Sequence, residues 1–206
     1  DPEATTVYAM LNNYYINRGY DASEERQVLA RRFSERALQL APEEPEALAA
    51  MAQFITFRGT DYARAEVLIR KAMALAPEDP RFARILVYNV LRPTDLPRAL
   101  ALAKEDATRF PADALTQYDL ALICRTTGDL ELMEQALDRT IALAPISSAL
   151  IWKGWLAAWV HGDLPGFKGW LDRISGNYRF NERAVYMHYL YACLSGDTAH
   201  GLEALQ

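Results

Sequence analysis

The sequence predicts an all-α protein: a right-handed α-solenoid of stacked antiparallel helix hairpins, with about five complete repeats and a partial sixth. Three observations lead there. An acid returns as Asp61, Asp95, Asp129, Asp163 and Asp197, each 34 residues after the last and each preceded by Gly or Thr. Prolines close the same period, Pro42, Pro77, Pro111 and Pro145 being spaced 35, 34 and 34. Half of the 206 residues (51%) are hydrophobic, with Ala and Leu abundant and no long β-branched run, which is the composition of a soluble helical chain.

Within each period a first amphipathic helix ends near Gly, an Asp opens the second helix and a Pro closes the unit. Asp suits that opening because its carboxylate accepts backbone N–H bonds from the first turn and offsets the positive helix end. Pro97 and Pro165 follow two residues after Asp95 and Asp163, where a missing N–H costs little. The resulting units span about 3–44, 45–79, 80–113, 114–147, 148–181 and a partial 182–206, read as one solenoid domain over residues 1–206.

Unit one departs from the period. Tyr8, Leu11 and Tyr15 mark its first helix, Gly19 ends it, and Asp21 with Glu24 offers a capping box for a long second helix. Unit three is degenerate, with Val87 where a small residue is usual and Pro93 cutting the turn. In unit five the run Pro165-Gly166-Phe167-Lys168-Gly169 predicts a short or bent second helix, each glycine costing about 1 kcal/mol. Ser147 and Ser148 read as helix caps. The chain opens at Asp1-Pro2 and stops within a helical stretch, and is expected to be a piece of a longer protein.

Leu48, Met51-Ala52, Ile55, Ala65, Ile69 and Pro77 fit, by size class, the tetratricopeptide pattern Trp-x2-Leu-Gly-x2-Tyr, Ala-x3-Phe, Pro. The chain therefore resembles the tetratricopeptide-repeat (TPR) family over essentially its whole length, with a composition like that of a bacterial member. Small Ala52, Ala65 and Ala72 belong where two helices of a hairpin cross closely.

The resemblance implies a non-catalytic interaction module whose first helices line a concave groove for a peptide or a partner's helix. The family's spacing then places Glu46, Ala49, Gln53, Thr56 and Phe57 in the groove from unit two. Units three and four add Arg81, Arg84, Tyr88 and Arg92, then Leu115, Tyr118, Leu122 and Arg125. Units five and six add Trp152, Leu156 and Trp159, then Arg183, Tyr186 and Leu190. The arginines suit carboxylates and the aromatic rings give rigid apolar contact, so an acidic or C-terminal segment is the expected partner. The plainer reading makes the arginines a solvated face and the aromatics core. A register shifted by one puts Trp152 and Trp159 in the core, and Trp155 reads as core.

The family's carboxylate clamp for chaperone tails is not expected, because its Lys and Asn positions read Ala49 and Gln53, then Arg84 and Tyr88. Two further roles stand beside the groove: a regulatory or scaffolding domain of a longer enzyme or transcriptional regulator, and self-assembly into a homo-oligomer.

Composition and spacing argue against other classes. A formal charge of −5 disfavours general nucleic-acid binding, which needs clustered Lys and Arg. The most apolar stretch, Ala149 to Val160, is interrupted by Lys153 and Gly154, so no membrane insertion is expected, and both cytoplasm and periplasm stay open as compartments. His161, His188 and His200 lack Cys or carboxylates at metal-ligand spacing, and no phosphate loop appears, so neither metal, cofactor nor catalysis is expected. Cys124 and Cys193 lie two repeats apart, beyond the ~7 Å reach of a disulfide, and read as buried thiols.

Overall fold

The computed structural model describes residues 24–174 and 182–196, which form helices joined by short turns. Contacts gather into two compact units, Asp1–Phe110 and Pro111–Gln206. The expectations for Tyr8, Leu11, Tyr15, Gly19, Asp21, Asp197 and His200 lie outside the described residues.

The first unit contains α1 (Glu24–Leu40), α2 (Pro45–Arg58), α3 (Tyr62–Leu75), α4 (Pro80–Ile85) and α5 (Leu96–Arg109). Helix α2 stops because Gly59 takes the left-handed conformation at φ 64°, which costs a glycine least. Two residues later Asp61 caps α3, accepting the Arg64 N–H at 2.9 Å. Ala52, Ala65 and Ala72 are fully buried, as the close hairpin crossing requires. Asp95 caps α5 in the same way, accepting the Arg98 N–H at 3.1 Å.

The degenerate third repeat resolves into a widened helix. Beyond Ile85, residues Leu86–Leu91 turn in π geometry, and the Arg92 N–H bonds the Val87 carbonyl at 3.0 Å. No glycine stands at its end, and Pro93 brings no N–H. Thr94 Oγ1 donates instead to the Val90 carbonyl at 2.7 Å, satisfying a terminal acceptor.

Asp106 on α5 is only 8% exposed. Burial, reinforced by the neighbouring Glu105 charge and only partly opposed by Arg109, pushes its carboxyl up to about 6. A carboxyl raised in the folded state is held best when protonated, so its contribution is greatest below pH ~4 and is lost as pH rises through about 6. Asp106→Asn is therefore expected to stabilise the protein at pH 7.5 by about 1–2 kcal/mol, with the gain vanishing near pH 4 in urea titrations.

The second unit contains α6 (Ala114–Thr127), α7 (Leu130–Leu143), α8 (Ser147–Trp155), α9 (Leu164–Asp172) and α10 (Glu182–Ser195). Gly128 and Gly162 end their helices at φ 82° and 66°. Asp129 and Asp163 then cap α7 and α9 through the Leu132 and Gly166 N–H groups at 3.2 and 2.9 Å. Asp129→Ala removes one such bond and is expected to cost about 1 kcal/mol in thermal or urea unfolding, leaving partner affinity unchanged.

Helix α9 has 9 residues against 14 in α7, as the glycines of repeat five predict. Its core is Phe167 and Leu171 packed with Leu150, Ile151, Ala157, Ile174 and Met187. Gly154 admits Phe167 closely, since a Cβ there would stand 3.0 Å from the ring. Helix α8 also widens into π geometry over Leu156–Val160, which nothing in the repeat pattern signals.

Two readings are corrected. Ile146, in extended geometry, precedes α8, and Ser147 and Ser148 form its first turn without capping it. Cys124 is buried, but Cys193 is exposed on α10.

Candidate functional site

The second unit carries a run of aromatic rings along the first helix of repeat five. Trp152, Trp155 and Trp159 sit at helical spacing, so one face presents all three. The Trp152 and Trp155 centroids are 6.0 Å apart edge-on, and Trp155 stacks on Trp159 at 6.3 Å. The run continues inward from Trp159 to Phe167 and from Phe167 to Tyr191, each at 5.7 Å. One end is anchored in the core by Phe167, while Trp159 remains 44% exposed. Rings fixed in this way lose little side-chain entropy when a partner covers them.

At the other end the Arg125 guanidinium lies 4.6 Å from the Trp152 ring centroid. Such stacking orients a guanidinium without occupying its edge N–H donors. Arg125 is exposed, and among the described residues no carboxylate pairs with it.

Behind the rings lies a polar network. The Lys153 side chain, 8% exposed, projects from α8 onto Glu134 and Asp138 of α7 at 2.7 and 2.8 Å. Glu134 also meets His161 Nε2 at 3.0 Å, directly after the π segment. Burial alone would lower the Lys153 pKa, but hydrogen bonds to Asp138 and Glu134 outweigh it and raise it. Burial would likewise raise Glu134, yet the Lys153 bond and charge, with His161 adding to them, hold it below the usual carboxylate range. The network thus ties α8, and with it the tryptophans, to the preceding hairpin.

One concavity of the first unit, about 260 Å³, is lined by Gln53, Thr56 and Phe57 of α2, Tyr62 of α3, and Tyr88, Asn89, Arg92 and Pro93. The Arg92 guanidinium stacks on Tyr88 at 3.9 Å.

The expected groove residues divide in the structure. Tyr88 and Arg92 meet in the first unit, and Arg125, Trp152 and Trp159 lie along one run in the second. Arg84 and Tyr118 are half-buried, and Tyr186 is exposed on α10. Arg183 falls within α10, but its side chain lies outside the described residues. Arg81 is exposed but taken up locally, its Nε donating to Asp79 at 2.9 Å and its Nη2 to Glu46 at 2.9 Å.

Ala49, Leu122 and Leu156 are buried, so these three are core and not groove. Sequence reasoning missed Lys153, Glu134 and Asp138. Their signal was a lone lysine inside the most apolar stretch, with two acids one turn apart on the preceding helix. It also missed the caps Asp79 and Asp113, which accept the Arg81 N–H at 2.9 Å and the Thr116 N–H at 2.7 Å.

Among the described residues no cluster of three or more His, Cys, Asp or Glu side chains is arranged to hold a metal. No described helix is long and apolar enough to cross a membrane.

No protein-family model and no curated protein matches the sequence. Solved structures do. Pseudomonas aeruginosa PilF superimposes with a TM-score of 0.69 at 18% identity, over 98% of this chain and 89% of that one. PilW, a widely conserved type IV pilus biogenesis factor, gives 0.67 at 15% identity, over 97% and 90%. A thermophilic TPR protein of Thermus thermophilus gives 0.69 at 18% identity, over 92% and 97%.

Proposed function

We propose that this chain, which has the all-α helical-repeat fold of tetratricopeptide proteins, is a non-catalytic interaction module that holds a segment of a partner protein against its first helices. The observation that carries the reading is the Arg125–Trp152–Trp155–Trp159 run, a rigid aromatic surface with an oriented cation at one end. Tryptophan and arginine held by their own scaffold are the side chains that dominate binding energy at protein interfaces. The partner segment offers apolar side chains to the rings and a carboxylate to Arg125. Tyr88 with Arg92 supplies a separate contact set in the first unit.

The test uses the full chain as bait and quantifies the captured partner. Arg125→Glu and Trp159→Ala are each expected to weaken its binding by about tenfold or more. Arg31→Glu, which breaks an exposed pair with Glu35 on α1 in the first unit and touches none of these side chains, is expected to leave it unchanged. Equal binding by all four proteins, with helicity intact, removes the reading.

A further inference from the structure

One cavity of the first unit, the concavity of about 260 Å³ at Tyr88 and Arg92, gathers polar groups that the fold itself does not use. Among the described residues, the Gln53 and Asn89 carboxamides and the Tyr62 and Tyr88 hydroxyls hydrogen-bond to no other protein group, and no carboxylate pairs with Arg92. All five residues are half-buried and line one concavity. The π turn over Leu86–Leu91 contributes to this, because its i→i+5 bonding fits an extra residue into the turn and presents Tyr88, Asn89 and Arg92 together. Half-buried polar groups that converge on one concavity without bonding to the fold keep their donors and acceptors open to a ligand.

The chemistry of the lining narrows the ligand. Among the described lining residues Arg92 is the sole cation and there is no anion, so the site complements one negative charge. Stacking on Tyr88 at 3.9 Å fixes the guanidinium plane and leaves its edge donors for a planar acceptor. Each carboxamide offers one acceptor and two donors, the complement of a peptide group. Phe57 and the two tyrosine rings wall the space with apolar surface. At about 260 Å³ the cavity is below the usual size of a small-molecule site and suits one side chain with its flanking main chain.

We infer that this cavity reads an internal acidic residue of an extended partner segment, with its carboxylate on Arg92, its adjoining peptide groups on Gln53 and Asn89, and its stem between the Phe57, Tyr62 and Tyr88 rings. A C-terminal acidic residue fits less well, because it brings two carboxylates to one guanidinium. The inference deepens the interaction reading by assigning partner chemistry to the first unit, and it stands on a cavity separate from the tryptophan run.

Nuclear magnetic resonance titration of the full chain tests it, with two blocked tripeptides as probes, acetyl-Ala-Glu-Ala-amide and acetyl-Ala-Gln-Ala-amide. The glutamate probe is expected to shift the side-chain amide signals of Gln53 and Asn89 and to bind about tenfold more tightly than the glutamine probe. Arg92→Gln is expected to erase that preference, while Trp159→Ala leaves it intact. Equal affinity of the two probes, or a glutamate preference that survives Arg92→Gln, overturns the site. So does tenfold tighter binding of unamidated acetyl-Ala-Glu, which would make the site a reader of chain ends. Loss of the shifts in Trp159→Ala overturns the cavity assignment while leaving the tryptophan run as the binding surface.

Discussion

Phe167→Ala is expected to destabilise the second unit by about 3–5 kcal/mol, the cost of emptying a fully buried aromatic site. Phe167 is completely inaccessible to solvent and packs against Gly154 of α8, where a Cβ would stand 3.0 Å from its ring. It also joins the core to the tryptophan run through Trp159, so its loss removes the base of the candidate site as well as core volume. Domain stabilities are of the order of 5–15 kcal/mol, which makes this a large share. All four tryptophans, Trp152, Trp155, Trp159 and Trp170, lie in the second unit, so their emission reports its unfolding selectively. A urea midpoint by tryptophan emission unchanged from wild type would contradict the packing described. Phe167→Leu keeps most of the volume and is expected to cost about 1 kcal/mol.

Lys153→Ala is expected to cost about 2 kcal/mol. Removing one partner of a fully buried ion pair costs about 3–5 kcal/mol, but Glu134 and Asp138 keep partial access to water and are resolvated in part. Lys153→Met preserves the packed stem and is expected to cost about half as much.

The pH dependence follows from the two shifts. The raised Lys153 contributes stability that is complete below its unfolded value of about 10.4 and is lost as pH rises through the folded pKa. The depressed Glu134 contributes stability that is present above about 4.3 and is lost as pH falls through its folded pKa. The difference between wild type and Lys153→Met should therefore be flat from about pH 5 to 10 and shrink on both sides. A difference that grows at either extreme would count against the network.

The hairpin register was legible because its devices are local. Asp61, Asp95, Asp129 and Asp163 cap helices from within one turn, and Gly128 and Gly162 end helices at a left-handed residue, so short stretches of sequence carry the whole signal. The two π segments were not legible, since Leu86–Leu91 and Leu156–Val160 keep an ordinary helical pattern of apolar residues.

The groove was half legible for a related reason. A first helix in a stacked array is covered both by its own hairpin partner and by a neighbouring hairpin, leaving a narrow open face. Residues one position off that face, such as Leu122 and Leu156, are core, although they share its spacing. Arg81 shows the other failing: its position suited a groove, but Asp79 and Glu46 satisfy it, and that pairing depends on side chains 2 and 35 residues away. The tryptophans answer to both alternatives at once, with Trp155 packed on the core and Trp159 open to a partner.

The most direct test of the binding account is a tryptophan-emission titration of the full chain with its captured partner, run alongside acrylamide quenching. Partner binding across Trp152 to Trp159 predicts a blue shift and a loss of quenching that saturate with binding, both requiring about tenfold more partner in Arg125→Glu. Saturating association with emission and quenching unchanged would contradict it.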